Sequence, residues 1–454
     1  MTPQLRETDR TPGLGEAFAV WLRVGILSFG GPAGQIALMH RMVVEERRWI
    51  DETRFLHALN YCMLLPGPEA QQLATYIGWL IHRTAGGLIA GLLFILPGAL
   101  VMLALSVAYL LWADLPLVTA AFEGIKAAVL VIVVEAVVRI ARRALVDAVM
   151  VAISIAAFIA IFVLAVPFPA IVACAAFAGL LSGLLRTGPA LGETVGRDGD
   201  GETVIARLEA SGRLDHTRPD ARRAVMLVAV FAVLWAAPVV LLLGLLGSEH
   251  VLARQSVFFS KLAVVTFGGA YAVLAYMAQQ AVEAFGWLTP QEMLDGLGLA
   301  ETTPGPLILV TQFVGFLGAA RLAGGDAIWS GVLGTVVTLW VTFTPCFLWI
   351  FLGAPWVERL RGNRAISSAL SGITAAVVGV VLNLAVWFGL HVSFLELVPS
   401  GLAWVAFEIP VPDSIRPSSL ALTALAVLLL PVLRQGVLRT LAGCAAAGMM
   451  LAVL

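Results

Sequence analysis

Charge is what this chain has least of. Of its 454 residues only 13% are Asp, Glu, Lys or Arg, while 60% are hydrophobic. A soluble domain carries about 25% charged residues, so a water-facing globular surface of this size is excluded. The formal net charge is −1, which leaves no field to gather nucleic acid. Cysteine is scarce as well. Cys62, Cys174, Cys346 and Cys444 stand far apart in apolar segments without metal-ligand spacing, and read as small buried hydrophobes. The histidines share no face; His40, His57 and His82 read as interfacial residues rather than ligands. The chain lacks a Gly-Lys-Ser/Thr phosphate loop, a Cys/His cluster and a nucleophile elbow. Direct ATP drive and enzyme chemistry are therefore not indicated, and neither cofactor nor metal is expected. The N-terminus is polar (Arg6, Glu7, Asp9, Arg10), and Arg23 interrupts the apolar stretch that follows. No small-residue cleavage signal stands there, so no cleaved signal peptide is read.

Long apolar runs are what the chain has in abundance. They lie at roughly 16–40, 54–65, 69–82, 86–112, 117–138, 144–166, 168–185, 224–247, 256–284, 290–303, 307–321, 326–353, 366–390, 417–433 and 436–454. Several approach or exceed the ~20 residues that cross a hydrocarbon core. Residues 186–223 break the pattern with Gly, Asp, Glu and Arg, and read as a solvated loop. This divides the chain into an N-terminal unit (1–185), a loop plus linking span (186–255) and a C-terminal unit (256–454).

Two unusual motifs occur twice at one offset. Ser28-Phe29-Gly30-Gly31-Pro32 returns as Thr266-Phe267-Gly268-Gly269, and Pro66-Gly67-Pro68 returns as Pro304-Gly305-Pro306. Both offsets are 238 (266 − 28 and 304 − 66), and Trp49 and Trp287 keep the same register; with Trp112 and Trp356 they stand near inferred span ends, as an aromatic belt would. Further on, Pro97 matches Pro345, Gly124 matches Gly372 and Glu135 matches Asn383 at an offset of 248 (345 − 97). Cations change ends between the copies. Arg41, Arg47, Arg48, Arg139, Arg142 and Arg143 have almost no counterparts in the second half, which instead carries Arg359, Arg361 and Arg364 before its matching span. Under the positive-inside rule the halves are inverted. Three spans between them (144–166, 168–185, 224–247) give the same answer by parity. The N-terminus and the 186–223 loop then lie in the cytoplasm, and Arg321 is the one exception. The expected fold is an all-α integral membrane protein, with two homologous repeats of inverted topology and broken or re-entrant helices.

The motifs are helix breakers inside membrane segments, tolerated where they line a cavity or are buried in protein. Proline at the first helical position is pre-organised, and the glycines let backbone amides approach a ligand. Each break exposes a helix N-terminus with orphan N–H groups and partial positive charge, a ready anion site. Arg23 and Lys261, equivalent and intramembrane, would attract an anion; snorkelling is the alternative. Thr303 and the neighbouring Asn60, Tyr61, Gln71, Gln72, Thr302, Thr311 and Gln312 offer hydroxyls and amides. Glu123 and Lys126 lie three apart on one helix and Glu135 four before Arg139, spacings that read first as intrahelical pairs. Glu69, Glu123, Lys126 and Glu301 are the candidates for coupling to a second ion.

These residues resemble the chromate ion transporter family, in its long, two-domain form. The resemblance rests on Phe29–Pro32, Arg48-Trp49, Pro66–Pro68 and their second copies, and covers nearly the whole chain. The second copy departs from the signature, with Ala270 for Pro32 and Thr266 for Ser28. The resemblance implies a plasma-membrane protein that exports chromate and confers resistance, with sulfate, another tetrahedral dianion, as competitor or counter-substrate. Other readings are sulfate as the true cargo, a passive anion channel, and a membrane enzyme acting on lipid-linked substrate. The lipid bilayer is the expected partner, nucleic acid is not, and a homodimer is left open.

Overall fold

The structure is a computed structural model that describes residues 11–29, 31–185, 203–267, 270–356, 364–399 and 408–453. Gly30, Gly268, Gly269, Arg359, Arg361, the first ten residues and most of the 186–223 loop lie outside the described residues. Helices account for nearly all of the rest.

The first half holds α1 (Leu14–Leu27), α2 (Gly31–His40), α3 (Glu52–Leu64), α4 (Glu69–Trp112), α5 (Pro116–Ala144), α6 (Ala148–Phe162) and α7 (Phe168–Leu185). Then come a short α8 (Val204–Ala210) and α9 (Ala221–Leu246). The second half holds α10 (Val251–Val265), α11 (Ala270–Ala278), α12 (Pro290–Thr302), α13 (Val310–Leu322), α14 (Ala327–Gly353), α15 (Arg364–Ser393), α16 (Pro417–Val427) and α17 (Val437–Val453). One departure from an all-helical chain is a small antiparallel ribbon, Leu397–Pro399 with Glu408–Pro410. Five helices (α4, α5, α9, α14 and α15) are long and apolar enough to cross a membrane. Only 6% of the most apolar stretch of α9 is buried by protein. A surface this apolar requires lipid as its solvent, and the chain is a multi-pass membrane protein.

Local structure repeats in the register read from the sequence. A π-helical turn ends α2 at Arg41–Glu46 and α11 at Gln279–Ala284. Arg48 (φ 50°) and Gly286 (φ 60°) both hold left-handed backbone. Asp51 caps α3 and Thr289 caps α12, the latter with a full capping box through Glu292. Helix α4 is broken at His82 and Arg83, where the second half has two helices, α13 and α14. Pro97 and Pro345 both sit inside long helices.

The long helices exchange partners between halves. α5 packs on α16 and α17, whereas α15 packs on α6 and α7. The register-matched glycines make both contacts. A Cβ at Gly124 would lie 1.9 Å from the Cys444 carbonyl oxygen, and one at Gly372 would lie 2.3 Å from that of Ala175. Backbones touch at these points, as small residues allow inside membranes.

Short-range contacts assign the ends of the helices to two faces. Arg47, after α2, pairs with Glu16 at the start of α1 at 2.7 Å, and His82 meets the Pro12 carbonyl at 2.8 Å. α1–α2 and α3–α4 are thus hairpins that return to the N-terminal face. At the opposite face, Arg321 after α13 forks onto Glu292 at the start of α12. This ion pair neutralises Arg321, the residue that departed from the expected cation pattern. Trp49 and Trp287, expected near an aromatic belt, are both 2% exposed. They pack inside the hairpin feet, Trp49 on Trp21 and Trp287 on Phe285. Cys174, expected to be buried, is exposed.

The described part of the linking loop is not free in solvent. Val204, Ile205 and Leu208 are buried, and the Val204 and Ile205 amides bond the carbonyls of Arg48 and Trp49 at 3.1 Å each. One short apolar turn among Gly, Asp and Arg leaves no periodicity to read. Next to it His216 is buried, its Nε2–H donating to the Trp79 carbonyl at 3.0 Å while Nδ1 has no partner. Burial pushes His216 below its ordinary value of 6.5, with Arg83 and Arg223 adding to the effect and the Trp79 bond opposing it. The neutral ring therefore holds this strap. Its contribution is full above the ordinary value and is lost as pH falls through the lowered one. Acidification from about pH 7.5 to about 5.5 should lower the protection of amides in 203–217, read as exchange relative to each amide's intrinsic base-catalysed rate at that pH, and His216→Ala should remove that change in protection. Protection in the unchanged chain that ignores pH would refute this.

Candidate functional site

Four hairpin tips meet in the middle of the molecule, and they do so in reciprocal pairs. The Gly67 amide donates to the Thr266 carbonyl at 2.8 Å, and the Gly305 amide donates to the Ser28 carbonyl at 3.0 Å. Gly67 matches Gly305 and Thr266 matches Ser28, so one bond is the counterpart of the other. Each Pro-Gly-Pro tip is thereby keyed to the Phe-Gly-Gly tip of the other half. Gln35 reinforces one junction, its Nε2 donating to the Gly305 carbonyl at 2.6 Å. The Gly67 (φ 123°) and Gly305 (φ 87°) backbones lie where glycine alone is comfortable.

This geometry corrects the expectation that every break offers free amides. Pro66, Gly67, Pro68, Thr303, Pro304, Gly305 and Pro306 are all buried, and the amides of both central glycines are already used. Several neighbours expected as donors are also spent on backbone. The Gln72 and Gln312 amides donate to the Pro66 and Ala99 carbonyls at 2.8 Å each. The Thr302, Thr303 and Thr311 hydroxyls bond carbonyls of their own turns, and Tyr61 donates to the Trp349 carbonyl. Glu69, half-buried, occupies the first turn of α4 and satisfies that helix's positive end itself.

The Phe-Gly-Gly tips differ. Ser28 and Thr266 are fully buried, but Phe29, Gly31, Pro32 and Phe267 are partly open. A Cβ at Gly31 (φ 70°) would meet nothing within 4 Å. The N-terminus of α2 therefore faces open space. Arg23 and Lys261 are exposed at matched positions of α1 and α10. The structure does not gather them with the sealed Pro-Gly-Pro tips.

The two halves also differ in how their second hairpins sit. α12 is buried from Met293 to Glu301, seated on α5 through Gly298, whose Cβ would be 2.2 Å from Ile125. Glu301 accepts a bond from the Tyr271 hydroxyl at 2.8 Å. The matched face of α3 is uncovered, with Leu56 45% and Met63 46% exposed and Asn60 exposed between them.

Glu123 and Lys126 lie elsewhere, at the face opposite the N-terminus. Lys126, 5% exposed, holds Glu123 Oε1 at 2.5 Å, and Arg416 holds the other oxygen at 2.5 Å. They line a cavity of about 310 Å³ together with Tyr109, Asp114, Glu292, Asp295 and Arg321. The Tyr109 hydroxyl donates to Asp295 Oδ2 at 2.8 Å. Sequence reading missed Asp295 and Tyr109. The signal was a lone acid between Leu294 and Gly296 in an apolar segment.

Comparison with known proteins agrees with the motifs. A Chromate transport protein of Pseudomonas aeruginosa is 33% identical over 371 residues, which is 81% of this chain and 79% of that protein. A Probable chromate transport protein of Synechococcus elongatus is 27% identical over 81% of this chain and 83% of its own length. The Chromate transport protein of Cupriavidus metallidurans is 27% identical over 82% of each. No solved structure matches. The family described as Chromate transporter matches residues 15–180 and 254–449, and with most of its length so covered, the chain belongs to the chromate transporter family.

Proposed function

We propose that this protein is a secondary transporter that exports chromate across the plasma membrane, through two inverted repeats whose hairpin tips form the ion site. The observation that carries this reading is the reciprocal pair of bonds, Gly67 to Thr266 and Gly305 to Ser28. Tips arriving from opposite faces at equivalent positions are what inverted repeats produce near a midplane. The open α2 N-terminus at Gly31–Pro32 binds the anion, with the equivalent sequence Gly268-Gly269 as the second half's counterpart; the Pro-Gly-Pro tips brace it. Arg23 and Lys261 raise the local anion concentration. The uncovered α3 face supplies access from the N-terminal face, which is cytoplasmic because Arg41, Arg47, Arg48, Arg142 and Arg143 lie there.

Energetics favour export. A unit charge is worth about 2.3 kcal/mol per 100 mV, so a dianion leaving a negative interior gains about 4.6 kcal/mol, roughly three powers of ten in ratio. The test is chromate uptake into inside-out vesicles with voltage and pH gradients collapsed separately. Uptake that saturates and weakens when voltage is removed is expected; flux indifferent to both would sink the reading. Arg23→Ala should raise the half-saturation concentration several-fold, and an unchanged value would remove Arg23 from the site. Sulfate remains the second reading because its shape and charge match. Trans-stimulation by sulfate would make it a counter-substrate and exclude a passive channel.

A further inference from the structure

A buried carboxylate at the outer mouth has an oxygen with nothing to bond. Asp295 is 6% exposed, and its Oδ1 has no hydrogen-bond partner. Its Oδ2 is held by the Tyr109 hydroxyl at 2.8 Å. It lines the cavity shared with Glu123, Lys126, Glu292 and Arg321. The cations there are committed elsewhere: Arg321 to Glu292, Lys126 and Arg416 to Glu123. Asp114 in the same lining is exposed. α15 and α17, the other helices packed on α12, bring no acid or base into the lining. Asp295 is thus a buried acid without an ion-pair partner, set in the cavity lining with one carboxylate oxygen buried and unbonded.

A buried charge in that state is costly unless neutralised. One phenol and one free oxygen do not make the shell of six or more oxygens that a hard metal ion takes. A proton needs a single lone pair. We propose that Asp295 is a proton-binding residue of the transport cycle, taking its proton at the unbonded Oδ1, with Tyr109 as its positioning residue. The proposal rests on the transport reading above and adds the ion that moves against the anion. Asp295 also lies on the α12 surface that seats against α5. Its protonation changes the charge balance of the contact that closes the outer side.

The test uses the full chain in liposomes, with chromate flux and a trapped pH dye read together. In the unchanged protein, chromate leaving is expected to draw protons the other way, and flux is expected to rise as the Asp295 side is acidified. Asp295→Asn should flatten that pH response and abolish the proton signal, whereas Asp295→Glu should restore both. Tyr109→Phe removes a donor to the carboxylate and should move the midpoint to higher pH. An Asn variant with the unchanged pH response and proton signal would overturn the proposal. If Asp295→Asn is inert, Tyr109→Phe decides: a shifted midpoint supports the site and an unshifted one overturns it. Difference infrared spectroscopy reads the site without chromate. A protonated-carboxyl band that titrates in the unchanged protein and is missing in Asp295→Asn supports the site, even if chromate does not move and the transport reading fails. Absence of that band overturns it.

Discussion

Gly67→Leu and Gly305→Leu abolish chromate flux while leaving the protein in the membrane. At Gly67 a Cβ would stand 2.8 Å from both the Cys346 sulfur and the Gln72 amide nitrogen. At Gly305 it would stand 3.2 Å from Leu309 and 3.3 Å from the Phe94 carbonyl oxygen. Both backbones are left-handed, which costs a side-chain-bearing residue roughly 1–2 kcal/mol, and overfilling the packed tip costs roughly 1–3 more. The same strain pulls the amide from the opposite half's carbonyl. Insertion should survive, because the five long apolar spans do not contain either tip residue as a central element. Flux in liposomes and membrane yield measured on one preparation check this: flux should fall more than tenfold at about equal yield. Normal flux in either variant would show that the reciprocal bonds do not shape the site. Gly31→Leu should fail for another reason. Space around Gly31 is open, so a leucine there blocks the helix end rather than breaking the tip.

Glu123→Gln lowers the melting temperature more than any other single loss of charge outside the tips. Glu123 is the partner of both Lys126 and Arg416, and the Lys126 side chain is only 6% exposed. Removing one member of a buried pair strands the other, at a cost of roughly 3–5 kcal/mol. The Glu123→Gln/Lys126→Met double variant should recover part of the loss, since the stranded ammonium is gone and only the less buried Arg416 is left without its carboxylate. Thermal unfolding in detergent checks both. A single variant that melts like the unchanged protein would show the pair to be dispensable. In this reading Glu123 is a structural anchor for α16 against α5, and the proton-carrying role passes to Asp295.

Much of this architecture was legible because breakers in a membrane chain are conspicuous. The offset of 238 located both pairs of tips; the π-helical turns and the caps at Asp51 and Thr289 fall in the same register, but only the structure revealed them. Pro97, Pro345, Gly124 and Gly372 carried the register into the long helices. What could not be read was which amides would be consumed. Gly67 and Thr266 lie 199 residues apart (266 − 67), and nothing local tells that one donates to the other. The same holds for Gln72 and Gln312, whose amides look available in sequence and are tied to carbonyls in space. Asp295 was overlooked because its significance lies in Tyr109 and Lys126 on two other helices. Trp49 and Trp287 were placed by a rule for lipid interfaces, yet tertiary packing buried them.

The exchange of partners between α5 and α15 bears on how the molecule is made. α5 emerges from the ribosome long before α17, whose backbone covers Gly124. Until α16 and α17 arrive, the early half must wait with a bare seam along α5. Deleting α17 would therefore injure α5, far upstream of the lesion. Quality-control proteases should recognise that injury at α5 rather than at the site of the deletion.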